Sequence, residues 1–428
     1  MKPARLAWFV AAIALLPGSV RGATWIVDGG GGGDFTRIQD AIAAATHGDQ
    51  VLVHPGHYVE RINFGGRRIV VRSTEGADRT TIDADGGGSA VTMAFAEGSA
   101  TVLQGFTVTG GTGTHISVAA PGNVIELTDQ LTRQRAGEPL LLPARPGTSG
   151  NDEQSELAFG GGIVLLGASP TLRDLVIRDN TANIGGGLYA WSTLPTLERC
   201  ALIDNTAGLG AGAAIDPGTT LRASDCRFQG GTSASGGGIW MQFAQVQLSR
   251  CWFANNSGGE GGAIYSIGAT QTGSIERCVF RGNLAGFGSA IFLRESRISL
   301  AQSTLVDNLF EEKDPGAIYL RDQSSATLDH CIVAWNGAAN DHCEDSALSA
   351  NCCDFFPEAP SCASGANNLV LDPRFCSHTE GNFALEPDSP CLPENGPNCG
   401  LIGAIGTHCG EPDAEVGSSG KERGRQAP

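Results

Sequence analysis

Residues 251–264 read CWFANNSGGEGGAI, and the fold turns on them. The same frame returns over residues 278–291 as CVFRGNLAGFGSAI. Working outward, one column runs Leu175, Cys200, Cys226, Cys251, Cys278, Ser303 and Cys331. Two residues on stand Ile177, Leu202, Phe228, Phe253, Phe280, Leu305 and Val333. Three further on stand Asn180, Asn205, Gly231, Asn256, Asn283, Asn308 and Asn336. A glycine cluster then precedes Ile163, Leu188, Ala213, Ile239, Ile264, Ile291 and Ile318. These are seven units between residues 160 and 340, spaced 25 to 27 residues apart.

A repeat of this length with short apolar runs of period 2 predicts several strands joined by turns, not helices. Coils stacked at about 4.8 Å set each side chain above its equivalent. Apolar groups and thiols then line the inside, and Asn amides bond from coil to coil at a turn. The glycines are expected to supply positive-φ turns. The sequence therefore predicts an all-β parallel β-helix solenoid, in which a single coil cannot bury its own apolar face.

Composition agrees. The chain has 428 residues, 61 Gly and 13 Cys, with a formal net charge of -17. Glycine lacks the every-third-residue period of collagen. The 41% hydrophobic content argues against simple disorder, and the acidic balance against a nucleic-acid partner. Residues 1–23 read as a signal peptide: Lys2 and Arg5, the apolar run Leu6 to Leu16, then Pro17. That run is too short to span about 30 Å of hydrocarbon. The expectation is a chain exported to the extracellular space or the outer cell surface, without a transmembrane segment, monomeric, and free to keep disulfides.

Asp34 to Thr46 reads as an amphipathic helix with Thr36 and Gln39 as a capping box, placed to cover the open end of the solenoid. Strands are expected at Gln50–His54, Arg68–Arg72, Thr80–Asp83, Ala90–Met93 and Thr101–Thr109.

Two resemblances sharpen the fold. Asp28-Gly29, Gly33-Asp34-Phe35, Ile38-Gln39, Ala41-Ile42, Gly48-Asp49, Pro55-Gly56, Tyr58 and Glu60 resemble the N-terminal pattern of pectin-lyase-like right-handed β-helix proteins. Phe253–Asn256 and Gly261–Ile264 are similar to the repeats of polymorphic outer-membrane adhesins, although that family ends in a membrane barrel and this sequence shows none. The resemblances imply a right-handed parallel β-helix and leave the activity open.

Within residues 24–410, read as a single domain, residues 113–159 interrupt the coils as an insertion, with a short helix expected at Val124 to Arg135. It is either a lid or binding loop or a neutral excursion. From residue 341 the repeat fades into a Cys-rich end holding Cys343, Cys352, Cys353, Cys362, Cys376, Cys391, Cys399 and Cys409. The expected bridges are Cys376–Cys391 and Cys399–Cys409, with the other four left open. The five ladder thiols Cys200, Cys226, Cys251, Cys278 and Cys331 are expected to stay reduced. Residues 411–428 read as a disordered tail.

Catalytic sets are scarce. The residue groups of pectinesterases and polygalacturonases do not occur in order. A lyase-like base would have to be an arginine, since the sequence holds only Lys2, Lys313 and Lys421. Arg178, Arg227 and Arg281, with Asp179, Asp204 and Asp307 in the next column, form the best constellation. His54, His57 and Glu60 have a spacing that would hold a metal on a helix, but Pro55-Gly56 makes the segment strand-to-turn. His342, Cys343 and the Cys352-Cys353 pair match no usual zinc pattern. Asp83 and Asp85 before three glycines resemble half a Ca²⁺ loop, as does the acidic run Asp341, Glu344, Asp345 and Asp354. No cofactor is expected, with Ca²⁺ the one ion these carboxylates admit.

One column stands out for binding. Beside the inward aliphatics lie Val164, Tyr189, Ala214, Trp240, Tyr265, Phe292 and Tyr319. Alternation points this column outward. An exposed strip of Tyr189, Trp240, Tyr265, Phe292 and Tyr319 would stack on sugar rings or a protein surface, whereas a covered one would be structural stacking, perhaps beneath the insertion. The predicted function is non-catalytic binding of an extracellular polysaccharide or a surface protein along one face. A polysaccharide lyase or hydrolase with a non-standard site, and a structural envelope protein, are the alternatives.

Overall fold

The structure is a computed structural model that describes residues 22–94, 97–118, 141–142, 156–269, 273–310, 316–337, 339–396, 398–407 and 409. The signal peptide, the helix at residues 124–135 and the tail lie outside the described residues, apart from Gly22 and Ala23.

Each regular coil gives one strand to each of three parallel sheets. In one coil these are Ile163–Leu166, Thr171–Arg173 and Val176–Arg178. Among the described residues the sheets hold 10, 13 and 11 strands respectively. The register follows the sequence columns: Ile163 pairs with Leu188, and Ile239 with Ile264 and then Ile291. Corners between strands carry a left-handed residue, such as Gly167, Asp174 and Asp179. The N-terminal strands are Gln50–Val53, Val70–Ser73, Thr80–Asp83 and Val91–Met93. The expected Thr101–Thr109 strand is split at Gly105 into Val102–Gln104 and Thr107–Thr109, because a corner falls there.

The ladders form inside. Phe228, Phe253 and Phe280 stack nearly parallel at 4.7 and 4.8 Å. The Cys200 N–H donates to Cys226 Sγ at 3.4 Å, and Ser303 takes the thiol's place by accepting from the Cys278 N–H at 3.2 Å. Asn256 Nδ2 donates to Asn283 Oδ1 at 2.9 Å, Asn283 to Asn308 at 2.9 Å, and Asn308 to Asn336 at 2.8 Å. Each of these donors also bonds a carbonyl one coil back, so the buried turn leaves few unpaired groups. The ladder breaks at Gly231 because a Cβ there would strike the Gly237 carbonyl oxygen.

The glycine clusters do two jobs where one was expected. Their first members, such as Gly185 and Gly261, have φ of 71° and 63°. The later ones are there for close approach: a Cβ on Gly187 would sit 2.6 Å from the Gly212 oxygen in the next coil.

The capping helix is shorter than expected, Ile38–Ala44, and the capping box does not form. Its N-cap Arg37 makes no side-chain cap bond. Buried Glu60 on a later turn instead accepts from the N–H groups of Ile38 at 2.7 Å and Gln39 at 3.0 Å. The carboxylate satisfies both orphan donors at once.

At the other end the coils continue past residue 340. Asp341–Cys343, Ala347–Asn351 and Asp354–Phe356 extend all three sheets. Cys353 therefore belongs to the ladder, accepting from the Cys331 N–H at 3.4 Å. The described residues between 372 and 406 then fold back as a strap over the outer face of the third sheet. Phe375, Phe383, Leu385 and Ile402 pack there against Val279, Val306 and Ile332.

The bridges are Cys343–Cys362, Cys352–Cys399 and Cys376–Cys409. The expected Cys376–Cys391 and Cys399–Cys409 pairs are thus corrected. Proximity along the chain misled, because the strap returns to the last coils and Cys391 is turned inward, unbridged and buried.

Candidate functional site

After the Asn turn the chain makes a fourth short strand, such as Thr181–Ile184 or Leu284–Phe287, before the next glycine cluster. This layer decides the fate of the aromatic column. Its rings do point away from the solenoid core and do stack: Tyr265 on Phe292 at 5.2 Å, Phe292 on Tyr319 at 5.3 Å, and Tyr319 on His342 at 4.9 Å. They form a second apolar cluster with Phe159, Ile184 and Leu209. Tyr189, Trp240, Tyr265, Phe292 and Tyr319 are only 0 to 7% exposed. The column points outward as alternation predicts, but it is the covered stack that forms and not the bare ligand-binding strip. The insertion contributes to the cover, since its base strands Thr114–Val118 and Glu156–Phe159 pair antiparallel and Phe159 meets Tyr189 at 4.8 Å.

The other sequence candidates scatter. Arg178 and Arg281 share an outward column but are separated by Ile203, Gln229 and Ala254, a rise of about 19 Å over four coils. Arg227 lies in a neighbouring column. One scissile bond cannot meet all three. Asp179 pairs with Arg178 at 2.7 Å, and Asp307 with His378 of the strap at 2.7 Å. His57 pairs with Asp83 at 3.1 Å, His54 with Asp28 at 3.8 Å, and Glu60 holds the helix, so this trio also diverges. Asp85 turns its N–H onto Asp83 Oδ1 at 2.9 Å. Among the described residues no three His, Cys, Asp or Glu side chains gather in a metal-binding group.

Open chemistry lies along the edge of the covered stack. The tyrosine hydroxyls reach the next outward column, Tyr189 to Asp216 Oδ2 at 2.6 Å and Tyr319 to Glu344. At the corner beyond that column is a groove of about 620 Å³ lined by Phe243, Gly268, Arg294, Glu295, Arg297, Asp322, Gln323 and Asp345. This volume suits a small ligand. Phe243 is 44% exposed and has a φ of 47°. A bulky residue is strained in the left-handed region. Its ring lies directly over Gly268, whose own φ is 67° and where any Cβ would collide with it. Arg294 Nε sits 2.8 Å from Asp322 Oδ2, and Arg321 Nε 3.4 Å from the same oxygen. The groove thus offers one flat apolar face beside fixed donors and acceptors.

Sequence reasoning missed Phe243. The signal was present: Gly167, Ser192, Gly268 and Glu295 occupy that corner in other coils, and a Phe there is out of character.

A family model described as a right handed beta helix region matches residues 151–333. The chain is a right-handed parallel β-helix. Similar solved structures include the pectate lyase Pel9A, at 12% identity over 87% of this β-helix and 91% of that chain, with a TM-score of 0.49. A pectin methylesterase from carrot matches at 11% identity over 83% of this chain and 91% of its own, with a TM-score of 0.34. The receptor-binding domain of the siphovirus 9NA tailspike matches at 9% identity over 82% and 76%, with a TM-score of 0.24. No curated protein matches this β-helix. No helix among the described residues is long and apolar enough to cross a membrane.

Proposed function

We propose that the protein is an exported glycan-binding β-helix that holds a polysaccharide without covalent chemistry at the corner groove of the first sheet. One observation carries this reading: the exposed Phe243 ring packs against Gly268 and lines the same groove as the Arg294–Asp322 pair. The apolar face of a pyranose stacks on such a ring, and its hydroxyls bond to the flanking polar groups. The scattered Arg and Asp candidates support binding over catalysis. Three disulfides fit an oxidising, extracellular compartment.

The test is a glycan array with wild-type protein and Phe243→Ala, run beside an assay for unsaturated uronate in the presence of Ca²⁺. Retention of one glycan class that Phe243→Ala weakens about tenfold is the expected result. Turnover with release of unsaturated product overturns the non-catalytic reading.

A further inference from the structure

Building on the glycan-binding reading, we infer that the groove selects a neutral pyranose chain and rejects uronates and sulfated sugars. The lining sets two guanidinium groups, Arg294 and Arg297, against three carboxylates, Glu295, Asp322 and Asp345. Arg294 is not free to take a new anion, because Asp322 already holds it at 2.8 Å while also standing 3.4 Å from Arg321. A carboxylate or sulfate arriving at Arg294 must displace Asp322 or sit beside it. Either course places like charges a few ångströms apart, which is unfavourable even in a water-like dielectric. The formal charge of -17 on the whole chain adds long-range repulsion.

A neutral sugar meets no such barrier. An ion pair at a surface presents donors and acceptors side by side. Of two neighbouring hydroxyls, one accepts from the Arg294 guanidinium and the other donates to the Asp322 carboxylate, and the pair stays intact. Phe243 supplies the stacking face. The Gln323 amide, exposed on the same rim, adds an uncharged donor and acceptor.

The experiment titrates full-length protein with neutral hexasaccharides (cello-, malto- and manno-oligomers) and with anionic ones (hexagalacturonate and a heparin-derived hexamer) at low and physiological salt. A neutral oligomer is expected to bind with little salt dependence, and Phe243→Ala is expected to weaken it about tenfold, the size of one lost stacking contact. Asp322→Asn frees Arg294 and is expected to create binding of the anionic oligomers. Anionic binding to wild type that rises at low salt and is lost in Phe243→Ala overturns the neutral preference while the glycan reading stands. Binding unchanged by Phe243→Ala removes the groove from both proposals. Failure of every oligomer overturns both.

Discussion

Asp354 Oδ2 lies 3.3 Å from the Cys391 thiol, across the seam between the last coil of the third sheet and the C-terminal strap. The other carboxylate oxygen accepts from the Leu371 N–H at 3.1 Å. Among the described residues no cation meets this buried group, and burial raises its pKa from 3.8 to about 6. The thiol is pushed up as well, by burial and by the neighbouring carboxylate, and stays protonated.

This pair makes stability depend on pH with a definite sign. Below about pH 4 both folded and unfolded chains hold the Asp354 proton, and there is no penalty. Between about 4 and 6 the unfolded chain releases it first, so stability falls as pH rises. Above 6 the loss levels off at about 3 kcal/mol. Asp354→Asn should therefore stabilise the protein by about 2–3 kcal/mol at pH 8 and by almost nothing at pH 3.5. Urea denaturation of both proteins at the two pH values checks it; an equal difference at both refutes the assignment.

The disulfide set is testable by non-reducing peptide mapping. Cys343–Cys362, Cys352–Cys399 and Cys376–Cys409 should be recovered, with Cys200, Cys226, Cys251, Cys278, Cys331, Cys353 and Cys391 free. The free thiols are buried and should react with an alkylating reagent only after denaturation. Replacing Cys352 and Cys399 by Ser should cost up to about 4 kcal/mol, from the loop-closure entropy of their 47-residue separation.

Asn283→Ala should be among the most damaging single changes. It removes the acceptor of the Asn256 N–H at 3.1 Å and the donor to the Phe253 carbonyl at 2.9 Å, both buried. Each orphaned group costs about 1–3 kcal/mol. An exposed control such as Thr327→Ala should stay within about 0.5 kcal/mol. Thermal and denaturant unfolding of the two variants compares them directly.

Glu60→Ala should loosen the N-terminal cap rather than the whole solenoid. It strips two N–H groups at the start of the helix of their shared partner. A loss of about 1–2 kcal/mol is expected. Hydrogen exchange should speed up first over residues 38–44, and uniform exchange along the chain would contradict it.

The coils were legible because stacking turns a sequence column into physical contact. Cys251, Phe253 and Asn256 each touch their equivalents one coil away, so selection for packing repeats the same residue types. The stacked rings from Trp240 to Tyr319 were legible for the same reason, and their outward direction followed from alternation. Their cover was not, because Thr181–Ile184 and its counterparts are too short and too varied to announce a fourth layer. Cys353 could have been placed: Cys353-Asp354-Phe355 repeats the spacing of Cys278-Val279-Phe280. The bridge pairing and the Asp307–His378 contact had no local signal, since the strap crosses several coils and obeys no period.

The strap gives the molecule two unlike halves. Beyond Trp252 the third sheet has a second wall of packed rings, and all three crosslinks lie past residue 342. The earlier coils have no such staple and rely on hydrogen bonds, core packing and surface ion pairs such as Arg199–Asp174. Tension along the axis should therefore peel the rod from its N-terminal end coil by coil, while the stapled end resists until it is chemically reduced.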